Sequence, residues 1–156
     1  MIKATELRKG NRLSLDGKVV YVHEIWDDKM TLWEDREMEH VLDSPEEYWV
    51  GYSAANLSPI PLTEDFLNEI GIVEQTHGEQ WGSSDQRITG FQLSKYFFLQ
   101  KNLCRDASGN YDGFILVNKT GLVFRSIMGC AAIKTVHRLQ NIVYDLTGEE
   151  LKINKA

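Results

Sequence analysis

Cysteine is scarce in this chain of 156 residues: Cys104 and Cys130 are the only two, and they share no C-x-x-C or Cys/His ligand spacing. Both read as buried, reduced thiols, and neither sits in a motif that activates a nucleophile. The four histidines, His23, His40, His77 and His137, form no H-x-x-x-H or H-x₃₋₅-H pair. No metal ligand set and no cofactor are therefore expected. Apolar runs long enough to span a bilayer are missing, and Met1 to Glu6 lacks the apolar core of a signal peptide, so the expectation is a cytoplasmic protein without membrane contact. The G-x-S-x-G elbow, the P-loop and G-x-G-x-x-G are absent too, which favours a non-enzymatic reading. A catalytic group assembled from distant residues would be invisible in linear order.

What is present is an ordinary globular composition, 42% hydrophobic and 26% charged, which supports a buried core. Net charge is −6, and it is uneven: residues 1–62 hold 12 Asp/Glu against 7 Lys/Arg, while 63–156 hold 11 against 10. Phosphate binding relies on excess Lys/Arg, so the acidic first part argues against non-specific nucleic-acid binding there.

Turn signals divide the first 60 residues into short strands. Leu13 to Leu15 and Lys18 to Trp26 flank Asp16-Gly17, a dipeptide suited to the positive φ angles of a tight hairpin. Asp27-Asp28 leads into Lys29 to Trp33, and after the acidic stretch from Glu34 to Glu47 come Tyr48 to Tyr52 and Leu57 to Ile60. Five short strands predict a small SH3-like barrel over 1–62, ended by Pro59-Ile60-Pro61 because proline cannot donate to a ladder. Thr63 is a suitable N-cap for a helix over 64–70 that buries Phe66, Leu67 and Ile70, with Gly71 as its stop.

Residues 74–90 are polar and read as a loop, mobile at 75–86, because few apolar contacts offset the entropy of ordering it. Phe91 to Leu103, Tyr111 to Asn118 and Leu122 to Ile127 read as the strands of an antiparallel meander. Asp106 to Gly113 has oxygen-bearing residues at calcium-loop positions, but Tyr111 stands where glycine is needed, so a turn explains it better. Over 133–147, Ile133, Val136, Leu139, Ile142, Val143 and Leu146 recur at helical spacing, with Gly148 as the stop. This helix is expected to pack across the meander. The class is therefore α+β: an N-terminal SH3-like barrel at 1–62, then an antiparallel meander with a C-terminal helix at 63–156, the two forming separate domains or one continuous one.

Two groups of residues are candidate binding sites. His137, Gln140, Asn141, Tyr144 and Asp145 share the polar side of the last helix at i, i+3 and i+4 spacing. They either converge on a ligand or form a solvated face, and the solvated face is the simpler expectation because no titratable partner is identifiable in sequence. Trp26, Trp33, Trp49 and Trp81, with Tyr48 and Tyr52, are many aromatics for so small a chain. They either fill the core or mark a partner surface, and strict alternation from Val19 to Trp26 puts Trp26 on the face away from Val19, Tyr21, His23 and Ile25, which gives the expectation that Trp26 lies outside the barrel core.

Three stretches carry a resemblance: Thr5-Glu6-Leu7-Arg8-Lys9-Gly10-Asn11, Pro59-Ile60-Pro61-Leu62-Thr63-Glu64-Asp65-Phe66-Leu67, and Val136 to Leu151. In kind and order these blocks resemble a family of short uncharacterised proteins encoded by gut-bacterial genomes and their phages or prophages. The resemblance implies a genomic setting and no activity. Together with the missing catalytic motifs it points to an accessory protein whose partner is another protein, met through Trp26, Trp33 and Trp49 or through His137, Asn141 and Tyr144. One alternative is a nucleic-acid-binding module using Lys95, Lys101, Arg105, Lys119, Arg125, Lys134 and Arg138. Another is a small-substrate enzyme with a site near the C-terminal helix.

Overall fold

Asp16 and Gly17 both take positive φ, 50° and 81°, and join strand β1 (Arg12–Leu15) to β2 (Lys18–Trp26) with Leu15 opposite Lys18. Glycine accepts this backbone freely and aspartate tolerates it, which is why the dipeptide signals the turn. In this computed structural model residues 1–27, 29–34, 49–77, 80–81, 84–85, 88–101, 113–118 and 132–153 are described. They divide into two compact units, Met1–Pro61 with Thr135–Glu150, and Leu62–Lys134 with Leu151–Ala156. The protein is α+β.

The first unit holds a curled, half-barrel antiparallel sheet in the order β4-β3-β2-β1-β5, with β3 at Lys29–Glu34, β4 at Trp49–Ser53 and β5 at Ser58–Pro59. Between β4 and β5 runs a 3-10 turn, Ala54–Asn56, where the Asn56 side-chain oxygen accepts from the Ser53 amide at 3.0 Å. The core is made of Leu13 and Leu15 from β1, Val20 and Val22 from β2, and Met30 and Leu32 from β3, closed by Ile2, Leu7, Ala54 and Leu57. Strict alternation does not survive along β2. Its register against β3 shifts between Val22 and Glu24, a bulge at His23, so Val20 and Val22 point inward before the shift and Ile25 packs on the core after it. Trp26 therefore lies outside, as expected, but on the same face as Tyr21, which simple alternation had separated from it.

Helix α2 (Val136–Thr147) completes this unit, and the Gly148 amide returns to the Tyr144 carbonyl at 2.7 Å to close it. The expected apolar stripe is buried at Val136, Leu139, Ile142 and Val143. α2 groups with the N-terminal unit, where it lies against β1: the Val136 amide donates to Ile60 O at 2.9 Å, and Thr135 bridges to Pro61. An apolar stripe states that a helix is covered and leaves open by what.

The second unit begins with α1 (Glu64–Glu69), capped as predicted by Thr63, whose hydroxyl accepts from the Phe66 amide at 3.1 Å. Phe66, Leu67 and Ile70 are buried. Four strands form a sheet in the order β11-β10-β9-β6: β6 (Glu74–His77), β9 (Ile88–Gln92), β10 (Phe97–Lys101) and β11 (Phe114–Asn118). A short ribbon, β7 (Gln80–Trp81) with β8 (Ser84–Asp85), lies between β6 and β9 in the chain. Two expectations change here. The segment read as a loop from 74 contains β6, paired residue for residue with β9 from Glu74 opposite Phe91 to His77 opposite Ile88. The single strand read from Phe91 to Leu103 is two strands with a turn at 93–96, where the Tyr96 amide donates to the Ser94 hydroxyl and Gln92 Nε2 to Ser94 O. The strand expected at Leu122 to Ile127, the calcium-like stretch before Gly113 and both cysteines lie outside the described residues.

Phe98 and Leu99, adjacent on β10, are both buried, so this sheet is covered on both faces: Phe98 packs with Val117 on one, and Leu99 pairs with Phe91 and Leu116 on the other. Gly113 has φ 78°, and a Cβ there would come within 2.7 Å of Ile133 O, so only glycine permits the paired hydrogen bonds between Phe114 and Ile133. Among the described residues no helix is long and apolar enough to cross a membrane.

Candidate functional site

In α2, His137, Gln140, Asn141 and Tyr144 stand at i, i+3, i+4 and i+7, one face of a helix by simple geometry. That face is turned toward the N-terminal arm, residues 1–11, and the contacts are specific. The Gln140 side-chain oxygen accepts from the Arg12 amide at 2.8 Å, and its Nε2 donates to Gly10 O at 2.9 Å. An amide and a carbonyl two residues apart on a strand edge are what a neighbouring strand would pair with, so the Gln140 carboxamide stands in for a peptide unit of a longer β5. β5 itself covers only Leu13 and Ser14. It stops at Pro59, and Pro61 could not have donated to the ladder.

Asn141 extends the lock. Its Oδ1 accepts from Asn11 Nδ2 at 2.7 Å, its own Nδ2 donates to Glu6 O at 2.8 Å, and Asn11 Oδ1 accepts from the Arg8 amide at 2.9 Å. Asn11 is fully buried, and Gln140 nearly so. At the end of the stripe the Arg8 guanidinium lies 3.7 Å from the centre of the Tyr144 ring, pairs with the Glu150 carboxylate, and reaches Gln140 O at 3.4 Å. Arginine suits this place because its flat group stacks on a ring and still donates at its edge.

The remaining member of the stripe is His137, only 7% exposed, with a buried Nδ1 that makes no hydrogen bond. Burial lowers its pKa from the ordinary histidine value; Glu6 opposes that shift and Arg138 adds to it. The expected solvated face is thus corrected: His137 and Gln140 are buried, Asn141 is half-buried, and only Tyr144 and Asp145 are exposed. The first and third of the blocks that carry the resemblance meet in this lock, and Ile60 of the second accepts from Val136.

Of the aromatic candidates, Trp26 and Trp33 occupy the face of the sheet away from its core, whereas Tyr52 packs against that core. Tyr21 stands between Arg12 on β1 and Trp33 on β3, and the His23 ring stacks on Trp33 at 3.9 Å and 20°. Tyr21, His23 and Trp33 are half-buried, while Trp26 at the end of β2 is 48% exposed. His23 also has a lowered pKa, from burial first and then from Lys9, with Glu24 opposing. Trp49 is placed by its backbone in β4 opposite Leu32, and Trp81 in β7; Tyr48 and His40 lie outside the described residues. Trp26 and Trp33 are thus brought to one face, separate from the stripe that gathers His137, Asn141 and Tyr144.

Of the cations named for a nucleic-acid surface, Lys101 is engaged: its ammonium lies 2.8 Å from Glu64 and 3.7 Å from Glu74, and the hydrogen bond to Glu64 raises its pKa. Arg105, Lys119 and Arg125 lie outside the described residues. Sequence reasoning missed the bulge at His23 and the roles of Asn11 and Gly10. The signal that was available is chemical: Asn11, Gln140 and Asn141 are carboxamides, able to donate and accept at once, in two separated blocks. No family model matches the chain, and comparison with curated proteins and with solved structures gives no match.

Proposed function

We propose that this chain is a non-enzymatic protein-interaction module, an accessory protein of a phage or mobile element, and that it meets its partner with the aromatic face of the N-terminal sheet. The observation that carries the reading is Trp26, half exposed at the end of β2 on the face that also holds Tyr21, Trp33 and His23. Tryptophan is enriched among residues that dominate binding energy, because a large rigid ring loses little entropy and buries much area. The sheet order β4-β3-β2-β1-β5, with a 3-10 turn before β5, supports reading the curled sheet as an SH3-like barrel. That architecture hosts many functions, so the fold by itself specifies no partner.

The test uses the tagged full chain in a lysate of its host, comparing wild type with Trp26→Ser and with Tyr96→Ser, an exposed ring of the second unit. A protein retained by wild type and Tyr96→Ser but lost by Trp26→Ser is the expected result. Equal retention by all three, or retention of nuclease-sensitive material instead of a protein, would overturn it.

A further inference from the structure

We propose that the polar stripe of α2 is an acid-released latch for the N-terminal arm, with His137 as the group that opens it. The geometry carries the inference. Three of the four residues on the stripe hold the arm directly: Gln140 at Gly10, with its oxygen on the adjoining Arg12 amide of β1, Asn141 at Glu6 and Asn11, and Tyr144 at Arg8. His137 is the fourth, on the same face one turn before Asn141, and it is the only one of them that titrates near neutral pH. It is only 7% exposed, and its buried Nδ1 makes no hydrogen bond.

A neutral imidazole carries one N–H and fits this site. Protonation adds a second N–H and a full charge, and neither is accommodated at a buried nitrogen without a partner. Among the described residues the charged groups acting on His137 are Glu6 on the arm and Arg138 on its own helix. Arg8 and Glu150, at the other end of the stripe, neutralise one another. Arg138 disfavours the imidazolium; Glu6 favours it but is exposed and screened. Opening the arm gives His137 water, so the open state takes up a proton at a higher pH than the closed state. The closed state is therefore complete above the ordinary histidine pKa and is lost as pH falls below it.

The arm carries Ile2 and Leu7 into the core of the sheet, and its Gly10 and Asn11 extend the β2 ladder through the pair Gly10 N to Val22 O and Val22 N to Asn11 O. Its release would bare the β1 edge at Arg12 and withdraw those apolar side chains, while β1 to β4 keep their own hydrogen bonds. The latch thus has two arrangements whose balance one proton shifts.

Amide hydrogen exchange on the full chain, with the His137 ring followed by NMR, tests this between about pH 7.5 and about pH 5. In wild type the protection factor of the Arg12 amide should fall about tenfold or more across this range, with the same midpoint as the His137 ring, while Leu99 and Leu116 stay protected. In His137→Gln, which cannot titrate, the Arg12 amide should keep its protection. Separate midpoints for the ring and the amide would overturn the proposal without reference to any variant. So would loss of protection at Leu99 and Leu116 together with Arg12, which is global unfolding, or the same pH dependence in His137→Gln.

Discussion

Helix α2 carries an apolar stripe and a polar one, and they hold the N-terminal unit in different ways. Val136, Leu139, Ile142 and Val143 are covered because removing apolar surface from water is favourable against almost any apolar neighbour. Gln140, Asn141 and Tyr144 are met by particular atoms at the other end of the chain: one amide and one carbonyl for Gln140, one carboxamide and one carbonyl for Asn141, one guanidinium for Tyr144. The first stripe supplies most of the free energy. The second fixes the register of a helix against a segment some 130 residues earlier in the chain, since a shifted helix would leave buried polar groups unpaired.

The comparison can be broken at either stripe. The largest effect is expected at the apolar one, where Leu139 is fully buried: Leu139→Ala should cost about 2–5 kcal/mol, read as a lower denaturant midpoint. At the polar stripe, Gln140→Ala should cost about 1–3 kcal/mol, because it strands the Arg12 amide and the Gly10 carbonyl. His137→Ala belongs near it. A solvated face would have made that substitution nearly neutral, whereas at 7% exposure the loss of packing should be measurable, about 1–2 kcal/mol. The smallest effect is expected at Trp26→Ser, within about 0.5 kcal/mol of wild type, as for a surface position whose role lies in binding. A large loss there would mean that the ring supports the fold and that the proposed face is misplaced.

How much of this was legible in the sequence follows from the range of each interaction. Asp16-Gly17, the Thr63 cap with Gly71, and the apolar stripe ending at Gly148 are local signals, and each appears where it was read. The bulge at His23 has no local marker, yet it changes which of the later β2 residues face the core. The turn at 93–96 was missed because it is built from Leu-Ser-Lys-Tyr, in which Ser94 is the single residue of a type that usually marks turns. β6 was missed because Glu74, Gln75 and Thr76 are exposed polar residues whose strand conformation comes from pairing with β9. The polar stripe could be placed on one helix face but not assigned burial, because its partners, Glu6 to Arg12, lie at the other end of the chain. For the candidate sites, sequence grouped His137, Asn141 and Tyr144 correctly on one helix face. That their neighbours are the protein's own arm is a tertiary fact.

The account stands on the claim that Asn11 and Asn141, 130 positions apart, interact directly at 2.7 Å. A double-mutant cycle on stability with Asn11→Ala, Asn141→Ala and the pair measures that claim without assuming what either residue does elsewhere. The account predicts that the second substitution costs less once the first is present, with a coupling of about 0.5–3 kcal/mol. Losses that simply add would contradict it, because two side chains that do not touch have no shared energy to lose.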